Sequence, residues 1–182
     1  MRKKICSFIL GLFGWKGVLG VEIPKKSVFC VAPHTSNWDF IIGELFYSAV
    51  GGDQKVSFLI KKEWFTFPLG YFFRWIGGVP VDRGKRTSLV QQMVAEFHKR
   101  EKFCLAVTPE GTRKANPNWK LGFYRIAKEA GVPIVLVYMD YSKKIAGAER
   151  LFEVTGDEEA DLAEIKKYYS QFTACHPENF VI

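Results

Sequence analysis

The amino-acid sequence predicts a single α/β domain in which a largely parallel or mixed central sheet is flanked by helices. Short apolar, β-prone runs alternate along the chain with segments whose apolar residues recur at helical spacing. The length of 182 residues suits one domain with a sizeable core. Hydrophobic residues make up 48% of the chain and charged residues 25%, which is typical of globular proteins.

Five apolar runs are predicted strands, and a sixth candidate follows them. They cover residues 27–32, 56–60, 79–81, 103–107, 134–138 and 151–154. Polar residues directly follow each of the first four runs. Because the ligand crevice of an open α/β sheet lies at the carboxyl ends of its strands, we expect these polar residues to meet there. They are His34, Lys61, Lys62, Asp82, Arg83 and the segment 110–113.

Four segments between or after these runs carry helical patterns. The first covers residues 38–49, and the third covers 122–130 and ends at a Gly-Val-Pro stop signal. The second begins at Ser88, where Gln91 completes a possible capping box. The last runs from about residue 157 to 174, with acidic residues first and lysines later, an order that suits the helix dipole.

The charge balance favours an anionic partner, with a soluble protein that is simply basic as the alternative. The formal net charge is +7 and the isoelectric point is near 9.2, which suits a membrane surface, a phosphorylated metabolite or nucleic acid. Nucleic acid is the least favoured of these, because the basic residues are dispersed and no recognition motif is present. The four cysteines stand far apart without a Cys-x-x-Cys pair, so we expect no metal site and a reducing, cytoplasmic environment.

Residues 1–20 are predicted to be an interfacial membrane-contact segment that precedes a domain over 21–182. Three basic residues open the segment and an apolar stretch follows, which is too short for the roughly 20 residues that span a bilayer. We expect the basic residues to meet lipid headgroups while apolar side chains enter the lipid. The alternative is a helix packed on the domain's own surface. The side chains expected in lipid are Phe8, Ile9, Leu12, Phe13 and Trp15.

His34 and Asp39 form a candidate catalytic pair after the first strand. A spacing of five does not align two side chains on a regular helix, so they meet only if His34 lies before the helix and Asp39 within its first turns. Asp39 would then accept from one imidazole nitrogen and leave the other as a general base. The pattern alone is also compatible with a helix-capping aspartate and a structural histidine. His98 and His176 are interpreted as surface residues.

The segment Pro109-Glu110-Gly111-Thr112-Arg113 is a candidate anion-binding turn after the fourth strand. Gly111 permits a positive φ or a close backbone approach. Backbone amides of such a turn can hold an anion, and Arg113 offers a bidentate phosphate contact. Glu110 would bind a polyol hydroxyl or orient Arg113; an ordinary surface turn is the alternative. Arg83 would add a second cation to the crevice, unless it forms a structural ion pair with an acid such as Asp82.

These motifs resemble the four ordered blocks of the glycerolipid acyltransferase family, which includes 1-acylglycerol-3-phosphate (lysophosphatidic acid) acyltransferases. His34 and Asp39 match the His-x4-Asp block, and the run from Gly78 to Arg83 matches the block that ends in arginine. Residues 109–113 match the Pro-Glu-Gly-Thr-Arg block, and 132–135 match the fourth. Lys120 and Gly122 are similar to a further lysine–glycine pair of the family. The resemblance runs from about residue 27 to 138.

The resemblance implies a glycerol-3-phosphate acyltransferase-like fold and an O-acyltransferase on the cytoplasmic face of the membrane, held there peripherally. His34 would be the catalytic base with Asp39, while Arg83, Glu110, Gly111, Thr112 and Arg113 would serve the phosphate-bearing acceptor. The donor would be an acyl thioester of coenzyme A or acyl carrier protein, with no cofactor and no metal. The expected acceptor is a lysophospholipid, most of all 1-acylglycerol-3-phosphate, in phospholipid synthesis. Lys61 and Lys120 are possible further substrate contacts.

Other functions stay open on the sequence. Another lyso-lipid, such as an aminolipid or glycolipid, could be the acceptor, water could replace the acceptor in a thioesterase, or the protein could bind lipid without catalysis. The aromatic stretch from Trp64 to Ile76 is compatible with a membrane-facing surface, the wall of an acyl groove or an ordinary aromatic core. The exposure of Trp64 and Phe65 distinguishes the surface from the core.

Overall fold

A seven-stranded mixed sheet forms the centre of the molecule in the computed structural model, which describes residues 2–51, 54–82 and 88–182. The order of the strands across the sheet is β1-β7-β6-β2-β5-β3-β4. The strands are β1 Lys16–Leu19, β2 Lys26–Val31, β3 Val56–Lys61, β4 Gly78–Val81, β5 Phe103–Val107, β6 Ile134–Asp140 and β7 Ile145–Phe152.

Five neighbouring strands, β6, β2, β5, β3 and β4, run parallel to one another. A tight connection after β6 turns the chain into β7, which is antiparallel to β6, and β1 then pairs in parallel with β7. The predicted α/β domain with a largely parallel or mixed sheet is therefore confirmed as a mixed sheet. Its parallel part brings the carboxyl ends of five strands to one edge.

The described residues form six α-helices, which lie around the sheet. They are α1 Arg2–Leu12, α2 Trp38–Val50, α3 Leu69–Ile76, α4 Leu89–Lys99, α5 Gly122–Ala130 and α6 Glu158–Tyr169. One face carries a core cluster with residues from α4, α5 and α6, including Phe97, Phe123 and Ile165. The other face carries a cluster with Leu10 from α1 and Phe46 from α2. Burial of both sheet faces explains why the central strands are apolar without alternation.

The predicted helix signals are confirmed where capping chemistry defines them. Ser88 and Gln91 form the capping box of α4, and Asp157 accepts from the backbone of Ala160 at the start of α6. Helix α5 ends where Gly131 adopts a positive φ of 64°. Helix α6 ends at Tyr169 rather than near residue 174. Helix α3 and strand β1 were not predicted: the aromatic stretch that contains α3 was assigned no element, and β1 is an edge strand of only four residues.

The N-terminal segment is a helix followed by a strand. Helix α1 packs along α2, and its Leu10 is buried. The expectation that Trp15 enters lipid is wrong: it is only 8% exposed, and its ring meets that of Tyr141 edge-on at 4.9 Å. Phe8, Leu12 and Phe13 do face outward. Among the described residues, no helix combines the length and apolarity that crossing a bilayer requires.

Candidate active site

The loop between β2 and α2 places His34 and Asp39 together. His34 lies outside the helix and Asp39 lies in its first turn, which is the arrangement that their spacing requires. The imidazole Nδ1 of His34 lies 3.3 Å from Oδ2 of Asp39. The side chain of His34 is 21% exposed, whereas that of Asp39 is 1% exposed. The second ring nitrogen is therefore free to serve a reacting group while the first is oriented from within the protein.

The carboxylate of Asp39 also organises the loop that carries His34. Its Oδ2 accepts from the backbone nitrogens of Thr35 and Ser36, each at 2.8 Å. Burial alone would raise the pKa of Asp39, but hydrogen bonds from His34, Tyr141 and Ser36 outweigh that effect and lower it below its ordinary value. Asp39 is therefore the charged partner of the imidazole at neutral pH. This carboxylate contacts the imidazole and holds the loop before the helix, but it does not cap α2, whose N-cap Asn37 forms no side-chain capping hydrogen bond.

Tyr141 is a member of the site that the sequence analysis missed. Its hydroxyl donates to Oδ1 of Asp39 at 2.6 Å. The signal was present in the sequence, since Tyr141 directly follows β6, and β6 pairs with β2, whose end leads to His34. The strand-end argument that found the other polar residues applies equally to this strand.

The carboxylate of Glu110 lies against the backbone of His34. Both of its carboxylate oxygens lie 3.0 Å from the backbone nitrogen of His34, and the residue is buried. Burial raises the pKa of Glu110 to about 7, and the negative charge of Asp39 adds to that rise, whereas interactions with His34 oppose it. The strand order explains the contact, because β5, which precedes Glu110, is the neighbour of β2.

The turn after β5 has the positive φ at Gly111 that the sequence analysis allowed for. Gly111 adopts a φ of 66°, and its nitrogen donates to the carbonyl of Thr108 at 3.2 Å. The side chain of Lys120 crosses so close to this glycine that a Cβ there would lie 2.8 Å from its Cδ and Cε. The backbone nitrogen of Lys120 is bonded to the carbonyl of Pro109 at 2.7 Å. Lys120 is thus held over the turn.

Thr112 and Arg113 are exposed at the outer part of the same turn. The hydroxyl of Thr112 accepts from the backbone nitrogen of Lys114 at 3.3 Å, and Arg113 forms no ion pair within the described parts of the chain. The exposed cationic side chains of Arg113, Lys114 and Lys120 therefore lie on or against the turn, which follows the strand next to β2. A guanidinium and an ammonium at such a turn suit a phosphate.

The third group of polar residues lies at the ends of β3 and β4. Lys62 pairs with Asp82 through Nζ and Oδ2 at 3.2 Å, and Lys61 is exposed. The backbone of Asp82 is fixed by Gln92 of α4, which accepts from its nitrogen and donates to its carbonyl. Arg83 follows directly, but it lies outside the described residues. Its phosphate-binding role stays a prediction.

The aromatic stretch after β3 is not an ordinary core. Trp64 is 57% exposed and Phe65 is half-buried. The ring of Trp64 meets that of Phe73, which in turn contacts Phe72. Other exposed apolar side chains lie in the same stretch and at the start of α2, which carries Asp39. They are Trp38, Phe40, Ile41, Phe67, Leu69, Tyr71, Phe72 and Trp75.

The remaining candidate groups in the described ranges are two exposed histidines and the cysteines. The side chains of His98 and His176 are exposed, as the sequence predicted, although the backbone nitrogen of His176 donates to the hydroxyl of Thr35 at 3.1 Å. The four cysteines are free thiols, and burial raises the pKa of Cys30 and Cys104. Across the described ranges, no group of three or more histidine, cysteine or acidic side chains is arranged to hold a metal ion.

Comparisons with known proteins agree on one family. A family model described as Acyltransferase matches residues 20–140. A probable 1-acyl-sn-glycerol-3-phosphate acyltransferase of Mycoplasma pneumoniae is 30% identical over 142 residues, which are 72% of this chain and 52% of that protein. The chain thus spans about half the length of this relative.

A solved structure shares the fold. The 1-acyl-sn-glycerophosphate (LPA) acyltransferase of Thermotoga maritima superposes with a TM-score of 0.63 at 17% identity. The match covers 93% of this chain and 76% of that one. At this identity the likeness shows the architecture alone.

Proposed function

This chain belongs to the Acyltransferase family, and on that premise we propose that it moves a fatty acyl group from a thioester to the hydroxyl of a lysophospholipid. The proposed acceptor is 1-acylglycerol-3-phosphate, which would place the reaction in phospholipid synthesis. The observation that carries the proposal is the contact between Nδ1 of His34 and the buried carboxylate of Asp39 at 3.3 Å, together with the cationic side chains of the turn after β5. The first feature suits activation of an alcohol and the second suits a phosphate.

His34 acts as the general base in the proposed reaction. With Nδ1–H donated to Asp39, the neutral imidazole offers Nε2 to the acceptor hydroxyl. The hydroxyl oxygen attacks the thioester carbonyl as its proton passes to Nε2, and the resulting imidazolium is stabilised by the Asp39 carboxylate. The alcohol is itself the nucleophile, so no covalent acyl-enzyme is required.

Collapse of the tetrahedral intermediate completes the transfer. The carbon–sulfur bond breaks as the carbonyl re-forms, and the imidazolium of His34 returns its proton to the departing sulfur. A thiol is a good leaving group, with a pKa near 8.5 for free cysteine, so strong acid assistance is unnecessary. The products are the diacylated lipid and a free thiol. The thioester is the only co-substrate, and the reaction as written uses neither a cofactor nor a metal.

The phosphate of the acceptor is assigned to the turn after β5. Arg113 and Lys120 supply positive charge there. Because Gly111 has no Cβ, the side chain of Lys120 can lie close to the turn. Arg83 and Lys61 are proposed to add charge from the ends of β4 and β3. Glu110 contributes indirectly, because its carboxylate holds the backbone of His34. This set accounts for an acceptor with a phosphate better than for one without.

A membrane surface is the proposed source of the lipid substrates. The exposed aromatic residues of the stretch 64–75 and the outward-facing residues of α1 suit insertion into the headgroup region. The net charge of +7 favours an anionic surface. We therefore propose peripheral binding at the cytoplasmic face, with coenzyme A or acyl carrier protein as the carrier of the acyl group.

Thiol release from a long-chain acyl-coenzyme A tests the proposal. The purified protein is assayed with and without 1-acylglycerol-3-phosphate, and the diacylated product is measured by mass spectrometry. We expect release that depends on the acceptor, matches the product in amount and is lost in His34→Ala. His98→Ala is the matched control, because His98 is exposed on α4, and it should retain full activity.

Each other outcome points to a different function. Release at the same rate without acceptor would indicate a thioesterase. Activity only with an acceptor that lacks phosphate would identify another lyso-lipid as the substrate. If neither coenzyme A nor acyl carrier protein thioesters react with any lyso-lipid, the transferase proposal fails and lipid binding without catalysis becomes the better account.

A further inference from the structure

The carboxylate of Asp39 is held from two sides by different parts of the chain. Its Oδ2 faces His34 and also accepts the backbone nitrogens of Thr35 and Ser36. Its Oδ1 points the other way and accepts the hydroxyl of Tyr141 at 2.6 Å. In the part of the chain that the structure describes, Tyr141 is the single hydrogen-bond donor to Oδ1. The carboxylate is buried, so loss of that donor would leave a charged oxygen without a partner.

Tyr141 is itself fixed by its backbone and its turn. Its nitrogen donates to the carbonyl of Thr173 at 2.9 Å. The preceding Asp140 accepts from the backbone nitrogen of Ser142 at 3.0 Å and from that of Lys143 at 3.3 Å, which holds the turn between β6 and β7. The phenol therefore approaches Asp39 from a rigid position rather than from a mobile loop.

The ring of Tyr141 is held as firmly as its backbone. Trp15 packs against it edge-on at a centroid distance of 4.9 Å and an interplanar angle of 88°. Burial, the Asp39 carboxylate and the thiol of Cys175 together raise the pKa of Tyr141, so the phenol keeps its proton at neutral pH. The ionised carboxylate of Asp39 has no proton to donate, so the protonated phenol of Tyr141 is the donor in this hydrogen bond.

We propose that Tyr141 is a positioning residue that acts through Asp39 to hold the imidazole of His34 in the orientation needed for proton abstraction. The inference rests on the proposed function, in which His34 is the base. Tyr141 touches neither substrate in this account. Its hydroxyl stops the Asp39 carboxylate from rotating about the Cβ–Cγ bond. The carboxylate in turn keeps its hydrogen bond with Nδ1–H of His34, so that Nε2 points towards the acceptor hydroxyl.

Tyr141→Phe is the first variant to measure, because it removes the hydroxyl and keeps the ring that packs on Trp15. We expect kcat to fall by about 10- to 100-fold while KM for both substrates changes by less than about twofold. The matched control is Tyr138→Phe, which removes a hydroxyl on the preceding strand β6 that donates to Glu149 rather than to Asp39. Its kcat should equal that of the unmodified protein. Equal kcat values for both variants would overturn the proposal.

A double-mutant cycle separates positioning through Asp39 from a general loss of structure. In an Asp39→Asn background we expect Tyr141→Phe to change kcat by less than about twofold, because the carboxylate through which it acts is absent. The same 10- to 100-fold loss in both backgrounds would show that Tyr141 acts independently of Asp39 and would overturn the assignment.

A third readout does not depend on activity and so separates this inference from the proposed function. The chain has three histidines, which makes nitrogen-15 NMR of labelled imidazoles tractable, with His34→Gln assigning the His34 signals. We expect the Nδ1 proton of His34 to exchange with solvent faster in Tyr141→Phe, while the signals of His98 stay unchanged. Unchanged exchange at His34 would overturn the inference even if acyl transfer is observed. Faster exchange would support it even if the acceptor is misidentified.

Discussion

Both carboxylate oxygens of Glu110 lie 3.0 Å from the backbone nitrogen of His34, so a side chain after β5 fixes the loop after β2. The two residues are 76 positions apart in sequence, and they meet because β2 and β5 are parallel neighbours. The buried carboxylate of Glu110 therefore holds the main chain of His34, the candidate base. The Asp39 carboxylate orients its ring, so His34 is held at two separate points.

Substitution of Glu110 tests the support of the backbone. Glu110→Gln retains an oxygen that accepts the His34 N–H, so we expect kcat to fall by less than about tenfold. Glu110→Ala leaves that buried N–H without a partner, which costs about 1–3 kcal/mol, and we expect a lower unfolding midpoint in urea as well as a larger loss of kcat. The two variants should share the acceptor KM of the unmodified protein. A large KM increase in Glu110→Gln would instead place the carboxylate on the acceptor.

The raised pKa of Glu110 predicts a pH dependence of stability. In the folded protein the pKa is about 7, against an ordinary value of 4.5, so between these values the folded state holds a proton that the unfolded state has released. The contribution of Glu110 to the free energy of unfolding is therefore fully present below about pH 4.5 and is lost as the pH rises towards about 7. Asp39, with its lowered pKa, acts in the opposite direction and loses its contribution only in more acidic solution, as the pH falls below 3.8.

Urea unfolding between pH 5 and pH 8 at constant ionic strength measures this effect. We expect the free energy of unfolding of the unmodified protein to decline across this range relative to Glu110→Gln, which has no titrating group at this position. Groups distant from Glu110 titrate equally in both proteins, so the difference between the two curves reports Glu110 together with its electrostatic coupling to Asp39 and His34. Parallel curves would contradict the raised pKa.

Much of this architecture follows from local patterns in the sequence, and the rest depends on which strands are neighbours. Strand β5 and helix α5 have the predicted bounds, because buried apolar runs and a glycine stop signal define them locally. The pairing of His34 with Asp39 follows equally from their spacing. By contrast, the role of Glu110 beneath His34 depends on the strand order, which no local pattern encodes.

Tyr141 and Trp15 also make contacts that no local sequence pattern predicts. Tyr141 contacts Asp39 across 102 positions; its place directly after β6 marks it as a strand-end residue, but the contact itself depends on β6 lying beside β2. Trp15 closes an apolar stretch next to basic residues, which is the pattern of a membrane anchor, and only the placement of β1 beside β7 turns it inward. Such contacts are set by tertiary packing rather than by composition.

The different environments of Trp15 and Phe13 predict that two neighbouring aromatic residues have separable roles. Trp15 is buried against Tyr141, so Trp15→Ala should lower the free energy of unfolding by about 3 kcal/mol and also reduce kcat. Phe13 is 66% exposed, so Phe13→Ala should leave unfolding unchanged and weaken binding to anionic vesicles by about fivefold.

Vesicle sedimentation and urea unfolding of the two variants check this prediction. Leu151→Ala serves as a control for vesicle binding, because Leu151 is an exposed apolar residue on β7 rather than on the N-terminal helix or the aromatic stretch. Equal vesicle binding by Phe13→Ala and the unmodified protein would remove the N-terminal segment from the proposed membrane surface.

The cations of the turn after β5 predict how the acceptor is recognised. Arg113 and Lys120 would contact a phosphate away from the reacting hydroxyl, and such a contact stabilises the bound substrate and the transition state equally. We expect Arg113→Ala and Lys120→Ala each to raise the KM for 1-acylglycerol-3-phosphate by about 10- to 100-fold, since a charged hydrogen bond contributes about 1.5–3 kcal/mol. Because the lost binding is uniform, kcat should stay within about twofold of its original value.

Steady-state kinetics with acceptor varied at saturating acyl thioester measures both constants. Lys167→Ala, which removes an exposed charge from α6, controls for the change in net charge. An acceptor without phosphate should show the same KM with all variants; a KM increase for that acceptor too would mean that these side chains shape the pocket rather than bind the phosphate.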